Sequence, residues 1–196
     1  FTLPVEAIAT TLPQEEKLYS SFDNVQGNSE IVADIIAELT DKRSEFTKEF
    51  LLDDGTKMIA EYDLPVHFKN DEGNWVEYDN SLIADNSTAD EATSEYSNKN
   101  SNIDIKLSNK AKSNNMIKVA SDDYSISWGY DDVNKSKVKF IENDDELIGN
   151  EKFTTLENLT QEAMYEDVYK NVDLQYFVSS SGIKENIILK NSDVQN

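Results

Sequence analysis

Between Met164 and Lys190 the chain reads MYEDVYKNVDLQYFVSSSGIKENIILK, and no other stretch narrows the accessible folds as far. Leu174, Tyr176 and Val178 alternate with Asp173, Gln175 and Phe177, which is the two-residue period of a strand. Ser180, Ser181 and Gly182 supply a turn, and Ile183 to Leu189 returns as a second strand. The segment therefore predicts a structural hairpin, not a catalytic loop. Its residues specify a fold and leave the activity open.

The same reading extends upstream. Ser29 offers an N-cap to Glu30–Thr40, where Val32, Ile35, Ile36 and Leu39 recur at helical spacing, so a short amphipathic helix is expected there. Glu45 to Leu52 alternates with Phe46, Phe50 and Leu52 on one face. Asp53, Asp54 and Gly55 then turn the chain into Lys57 to Tyr62. Val66 to Lys69, a turn at Asn70 to Asn74, and Trp75 to Tyr78 continue as a β-meander. Residues 85–102, DNSTADEATSEYSNKNSN, hold few large apolar side chains to offset their ordering entropy, which predicts a loop. Strands are expected again at Ile103–Leu107, Met116–Ala120, Tyr124–Trp128 and Lys137–Glu142, with Asn- and Asp-rich turns between them. Asn143 to Gly149 reads as a turn, Phe153 to Leu159 fits no single element, and Ala163 to Tyr169 leads into the closing hairpin. The expected fold is mainly β, an antiparallel β-sandwich or twisted β-sheet assembly with one short N-terminal helix. Residues 45–196 would form this module, cut short at its C-terminus, behind a linker and helix at 10–44.

Charge sets limits on partners. Thirty-nine acidic residues stand against 18 basic ones, a formal net charge of -21, and such a field repels nucleic acid and anionic surfaces. Acidic charge of this kind keeps an extracellular protein soluble. Cysteine is absent, which excludes disulfides, thiolate metal sites and cysteine nucleophiles. At the N-terminus, Ala7-Ile8-Ala9 has the small-x-small pattern of a signal-peptidase site, so residues 1–9 are read as a signal-peptide remnant and the protein as secreted. No apolar run reaches the length of a membrane span.

Side chains that could carry chemistry are sparse. His67 is the only histidine, and neither a Gly-x-Ser-x-Gly elbow nor an HExxH pair accompanies it, so a structural role is expected. The acidic pairs Asp53-Asp54, Asp122-Asp123, Asp131-Asp132 and Asp144-Asp145 could offer oxygens to Ca2+, but none builds a regular calcium loop, and each reads as a turn. No cofactor is expected. With so many acidic residues, paired carboxylates arise by chance and say nothing of glycosidase chemistry. Trp75, Tyr78, Trp128 and Tyr130 could stack on sugar rings if they met on an exposed sheet face.

Four blocks of sequence point further. The first runs from Asp54-Gly55-Thr56 through Asp63-Leu64-Pro65-Val66-His67-Phe68 and is followed by Asn70-Asp71-Glu72-Gly73-Asn74-Trp75-Val76-Glu77-Tyr78-Asp79-Asn80-Ser81-Leu82. Tyr124-Ser125-Ile126-Ser127-Trp128, with Ser136-Lys137-Val138 following, forms the second block, Tyr165 to Tyr176 the third and Gly182 to Leu189 the fourth. Together they resemble the N-terminal region of secreted, cell-wall-associated RHS/YD-repeat and DNRLRE-domain proteins of Gram-positive bacteria. Lys170 stands where that family usually has proline, and the chain contains neither a DNRLRE sequence nor a YD repeat. The resemblance implies a non-catalytic module that supports export or surface presentation of downstream modules in the same polypeptide, such as the toxin domain of a polymorphic toxin. A module that binds cell-wall glycan or another polysaccharide is the alternative, and an enzyme comes third.

Overall fold

The computed structural model describes residues 33–85, 94–141, 149–156 and 158–190. Fourteen strands occur among them, all paired antiparallel. They are β1 (Ile35–Glu38), β2 (Thr47–Leu52), β3 (Lys57–Glu61), β4 (His67–Lys69), β5 (Trp75–Glu77), β6 (Asp79–Ala84) and β7 (Glu95–Asn100), then β8 (Asp104–Ser108), β9 (Ile117–Ser121), β10 (Tyr124–Trp128), β11 (Val138–Ile141), β12 (Thr160–Tyr169), β13 (Val172–Ser179) and β14 (Gly182–Leu189). A 3-10 turn covers Thr40–Lys42, and an α-helical turn, α1, the one among the described residues, is Glu151–Thr154. The strands form a β1-β2-β3 sheet, a β4-β5 hairpin, a five-stranded sheet in the order β10-β9-β8-β7-β6 and a four-stranded sheet in the order β11-β12-β13-β14. The chain is mainly β, as its alternating pattern predicts.

Two hydrophobic cores hold these sheets. Leu82, Ile105, Leu107, Met116 and Ile117 from the five-stranded sheet or its flanks share the larger core with Val138, Ala163, Tyr165, Leu174, Tyr176 and Val178 from the four-stranded sheet. Ile35, Phe50, Leu52, Ala60, Tyr62 and Val66 make the smaller core, with Leu156 and Leu159 packed against it. Both cores follow from period-two alternation: in β2, for example, Lys48, Phe50 and Leu52 are buried while Thr47, Glu49 and Leu51 are half-exposed.

The closing hairpin forms as its sequence predicts. Val172 to Ser179 pairs with Leu189 to Gly182 without interruption, and Gly182 takes the positive φ of 118° that the tight turn requires. Leu174, Tyr176 and Val178 form the core-facing side. One feature goes beyond the alternation: Asp173 and Gln175 on the other side are buried as well. Each is satisfied: Asp173 accepts from the Asp167 amide at 2.6 Å, and the Gln175 amide donates to Glu162 at 2.6 Å.

Two expectations need correction. The helix expected at Glu30–Thr40 is not formed over its described part: Ile35–Glu38 is strand β1, with Ile35 opposite Leu52 and Glu38 opposite Phe50. Pairing with β2 satisfies the backbone and buries Ile35, and this outweighs a helical stripe that only a few residues support. The short helix lies instead at Glu151–Thr154, late in the chain. Asn150 ties this turn to β1, accepting from the Ile35 amide at 2.8 Å and donating to Ala33 O at 3.1 Å.

The loop expected over residues 85–102 is the second correction, because Glu95–Asn100 is strand β7, placed between β6 and β8. Most of its side chains are polar, yet Tyr96 packs against the larger core, edge-on to Phe140 with centroids 4.7 Å apart, and neighbours on both sides supply ladder hydrogen bonds. Asn98 adds side-chain bonds of its own, donating to Ile103 O at 2.8 Å and accepting from the Ile105 amide at 2.9 Å. Residues 1–9, the proposed cap at Ser29, residues 86–93 and Asp144-Asp145 lie outside the described residues. Among the described residues no helix is long and apolar enough to cross a membrane.

A buried charge cluster around His67

Five polar side chains meet where the smaller core is closed by the β4-β5 hairpin. The turn at Asn70–Asn74 sets the register that places His67 directly opposite Glu77. Alternation in β2 turns Lys48 to the same side as Phe50, and Glu38 lies opposite Phe50 on β1. Arg43 follows the 3-10 turn and reaches back to the strands.

Charge pairing compensates the burial. Arg43 grips Glu38 in a bidentate pair, Nε to Oε1 at 2.7 Å and Nη2 to Oε2 at 3.0 Å. The same Nη2 donates to Glu77 Oε1 at 3.0 Å, and Lys48 Nζ donates to that oxygen at 2.5 Å. Two carboxylates thus face two cations, which offsets the cost of removing Lys48, only 5% exposed, from water. Burial alone would raise the Glu38 pKa, but the Arg43 hydrogen bond and the Lys48 and Arg43 charges hold it below the ordinary glutamate value.

His67 is fully buried. Its Nδ1 lies 2.6 Å from Ser44 O, and because a carbonyl only accepts, Nδ1 carries the proton. Nε2 is then left with a lone pair and has no hydrogen-bond partner. Burial pushes the imidazole pKa down, the Arg43 and Lys48 charges add to that, and the Ser44 carbonyl and Glu77 oppose it. Glu38, His67 and Glu77 bring one ligand atom each within 4.8 Å of one another.

The cluster borders a groove of about 720 Å³. Its polar lining includes Glu38, Arg43, Lys48, Glu77, Tyr78, Asp79, Lys99 and Lys152, and its apolar lining includes Phe50, Val66, Phe153, Leu156 and Leu159. Asp79 is itself engaged by Lys99 at 2.8 Å and by the Ser81 amide at 3.1 Å.

The four aromatic residues singled out in the sequence separate into two groups. Trp75 is half-buried, with Lys69 Nζ 5.1 Å from its ring centroid, and Tyr78 is buried against Phe68, centroids 4.9 Å apart, with its hydroxyl donating to Asn102 Oδ1. Trp128 and Tyr130 pack instead against the larger core. There they join Tyr176 in donating to one carboxylate, Glu185: Tyr130 Oη at 2.5 Å, Tyr176 Oη at 2.6 Å and Trp128 Nε1 at 3.2 Å. Burial, reinforced by that carboxylate, pushes both tyrosine hydroxyls well above their ordinary pKa, so they remain donors.

The three acidic pairs among the described residues, Asp53-Asp54, Asp122-Asp123 and Asp131-Asp132, serve as turns. Asp54 accepts from the Thr56 amide at 2.8 Å and hydroxyl at 2.6 Å, Asp53 accepts from the Asp34 amide at 3.2 Å, and Asp122 and Asp132 take φ of 49° and 57°. Sequence reasoning singled out His67 but missed Glu38, Arg43, Lys48 and Glu77. Arg43 and Glu77 are 34 residues apart, and only the register of the Asn70–Asn74 hairpin could have signalled one member of the set.

The His67 environment predicts an acid-labile fold. A lowered folded-state pKa means that protonation favours the unfolded chain, so stability is intact above the unfolded value of about 6.5 and is lost as pH falls below it. Unfolding free energies from urea titrations in chelator between pH 7.5 and 5 should fall with pH, with a slope of at most about 1.4 kcal/mol per pH unit from this one proton. His67→Gln should flatten that slope. An unchanged slope in the variant would show that His67 does not titrate in this way.

Compared with protein-family models, curated proteins and solved structures, the chain matches none.

Proposed function

We propose that the chain is a non-catalytic β-rich module of a secreted or cell-wall-associated RHS/YD-repeat-type protein, supporting export or surface presentation of modules in the same polypeptide. One observation supports this reading beside the resemblance of the four sequence blocks: several polar side chains of those blocks are engaged in internal bonds. Asn80 is fully buried, with its amide donating to Leu159 O at 2.8 Å and its carbonyl accepting from Asn98 at 3.1 Å. Tyr165 donates to Ser108 O at 2.5 Å, and Trp128, Tyr176 and Glu185 hold one another. Bonds of this kind build a frame and leave none of these particular groups free to meet a substrate. In this reading the five- and four-stranded sheets around the larger core are the two layers of an antiparallel sandwich.

The test is a fusion of the chain, with a signal peptide, to a reporter in a Gram-positive host, together with incubation of the purified chain with cell-wall polymer. The reporter should reach the surface and the polymer should remain intact by mass spectrometry. Cytosolic retention would overturn the export role, and released wall fragments would overturn the non-catalytic one.

The polar groove favours a second reading, a module that binds wall glycan or another polysaccharide. Tyr78 and the cations Lys99 and Lys152 line it. Retention of the chain on purified wall polysaccharide, lost in Lys99→Ala with Lys152→Ala, would select this reading over the first.

A further inference from the structure

We propose that Glu38, His67 and Glu77 form a three-ligand site for a divalent transition-metal ion, with Zn2+ the best match. Three observations combine. Their ligand atoms lie within 4.8 Å of one another, which leaves only small side-chain shifts before all three reach a common ion at about 2.0–2.2 Å. His67 is fully buried, and its Nε2 lone pair has no partner. Its Nδ1 proton is donated to Ser44 O at 2.6 Å, the carbonyl contact that orients a metal-binding imidazole and fixes its tautomer.

The carboxylates retain capacity for a cation. Glu77 directs Oε1 to Arg43 and Lys48, while its Oε2 makes neither of these bonds. Glu38 uses one lone pair on each oxygen for Arg43 and keeps the second on each. Arg43 and Lys48 would thus hold the ligands from behind. They also neutralise much of the negative charge, which sets the affinity below that of a site with bare carboxylates. One nitrogen and two oxygen donors favour Zn2+ over Ca2+ or Mg2+, whose sites are built from oxygen alone. Three protein ligands leave a fourth position for water.

The experiment uses the chain without a histidine tag, stripped with chelator and desalted, then titrated with ZnCl2 by calorimetry and with Co2+ by visible absorption. The many surface carboxylates bind cations weakly and without defined stoichiometry, so an excess of Mg2+ is present throughout. We expect one saturable Zn2+ equivalent and a Co2+ ligand-field band. Glu77→Gln and His67→Asn should each weaken that equivalent at least tenfold and remove the band, while Asp122→Asn with Asp123→Asn leaves both unchanged. The Glu77 side chain is 43% exposed, so Glu77→Gln remains informative if His67→Asn fails to fold. Absence of a saturable equivalent in the parent, or equal binding by folded Glu77→Gln, overturns the proposal.

Discussion

Replacing Tyr176 with Asp should abolish the folded state. The ring is fully buried, meets Tyr165 edge-on with centroids 6.0 Å apart, and lies directly opposite Glu185 in the β13-β14 ladder. Loss of a large aromatic from a core costs about 3–5 kcal/mol before any charge is considered. The new carboxylate would then be buried beside Glu185, replacing a donor with a like charge. The total reaches the range of a whole domain's net stability, about 5–15 kcal/mol. Tyr176→Phe separates the two effects: it keeps the ring and loses one hydrogen bond to a charged group, at about 1.5–3 kcal/mol. Urea unfolding followed by fluorescence of Trp75 and Trp128 should show a shifted transition for Phe and none for Asp. A transition at the parental midpoint for Tyr176→Asp would remove the hairpin from the core.

The near-isosteric change Asn80→Asp should cost several kcal/mol although it alters almost no volume. Asn80 Nδ2 donates to Leu159 O at 2.8 Å in a fully buried setting, so the variant would place a carboxylate oxygen against a carbonyl oxygen. A broken buried hydrogen bond accounts for about 1–3 kcal/mol, and the desolvated charge adds to it. The sign of the pH dependence identifies the cause. Burial and the facing carbonyl raise the folded-state pKa of the introduced Asp, so the penalty is complete above that raised value. It shrinks as pH falls from there towards the unfolded value of about 3.9. Stability relative to the parent should therefore recover on acidification. A difference that is constant with pH would trace the loss to shape, not charge.

What could be read from the residues follows the range of the forces involved. The β13-β14 hairpin was legible because alternation, turn chemistry and core burial all act within one short segment. The fate of Ile35 and Ile36 was not, because their spacing suits a helix and only pairing with β2, set by distant residues, makes them strand. Strand β7 was invisible for the opposite reason: EYSNKN has little apolar content, and its neighbours β6 and β8 hold it through the backbone ladder. At the candidate site one ring was marked by being the sole histidine. Its partners Glu38, Arg43, Lys48 and Glu77 were lost among many similar charges, since no local pattern distinguishes a buried ion pair from a solvated one. Trp128, Tyr130 and Tyr176 likewise gave no sign that they would share Glu185.

The single buried imidazole also makes the protein its own reporter. In a spectrum selective for histidine ring nitrogens only one residue contributes, so tautomer, protonation and ligation of His67 can be read without site-by-site assignment. The absence of native thiols allows one introduced cysteine to carry a spin label or fluorophore at a chosen strand. Events at the charge cluster and movements of the sheets can then be followed in the same sample through two non-overlapping signals.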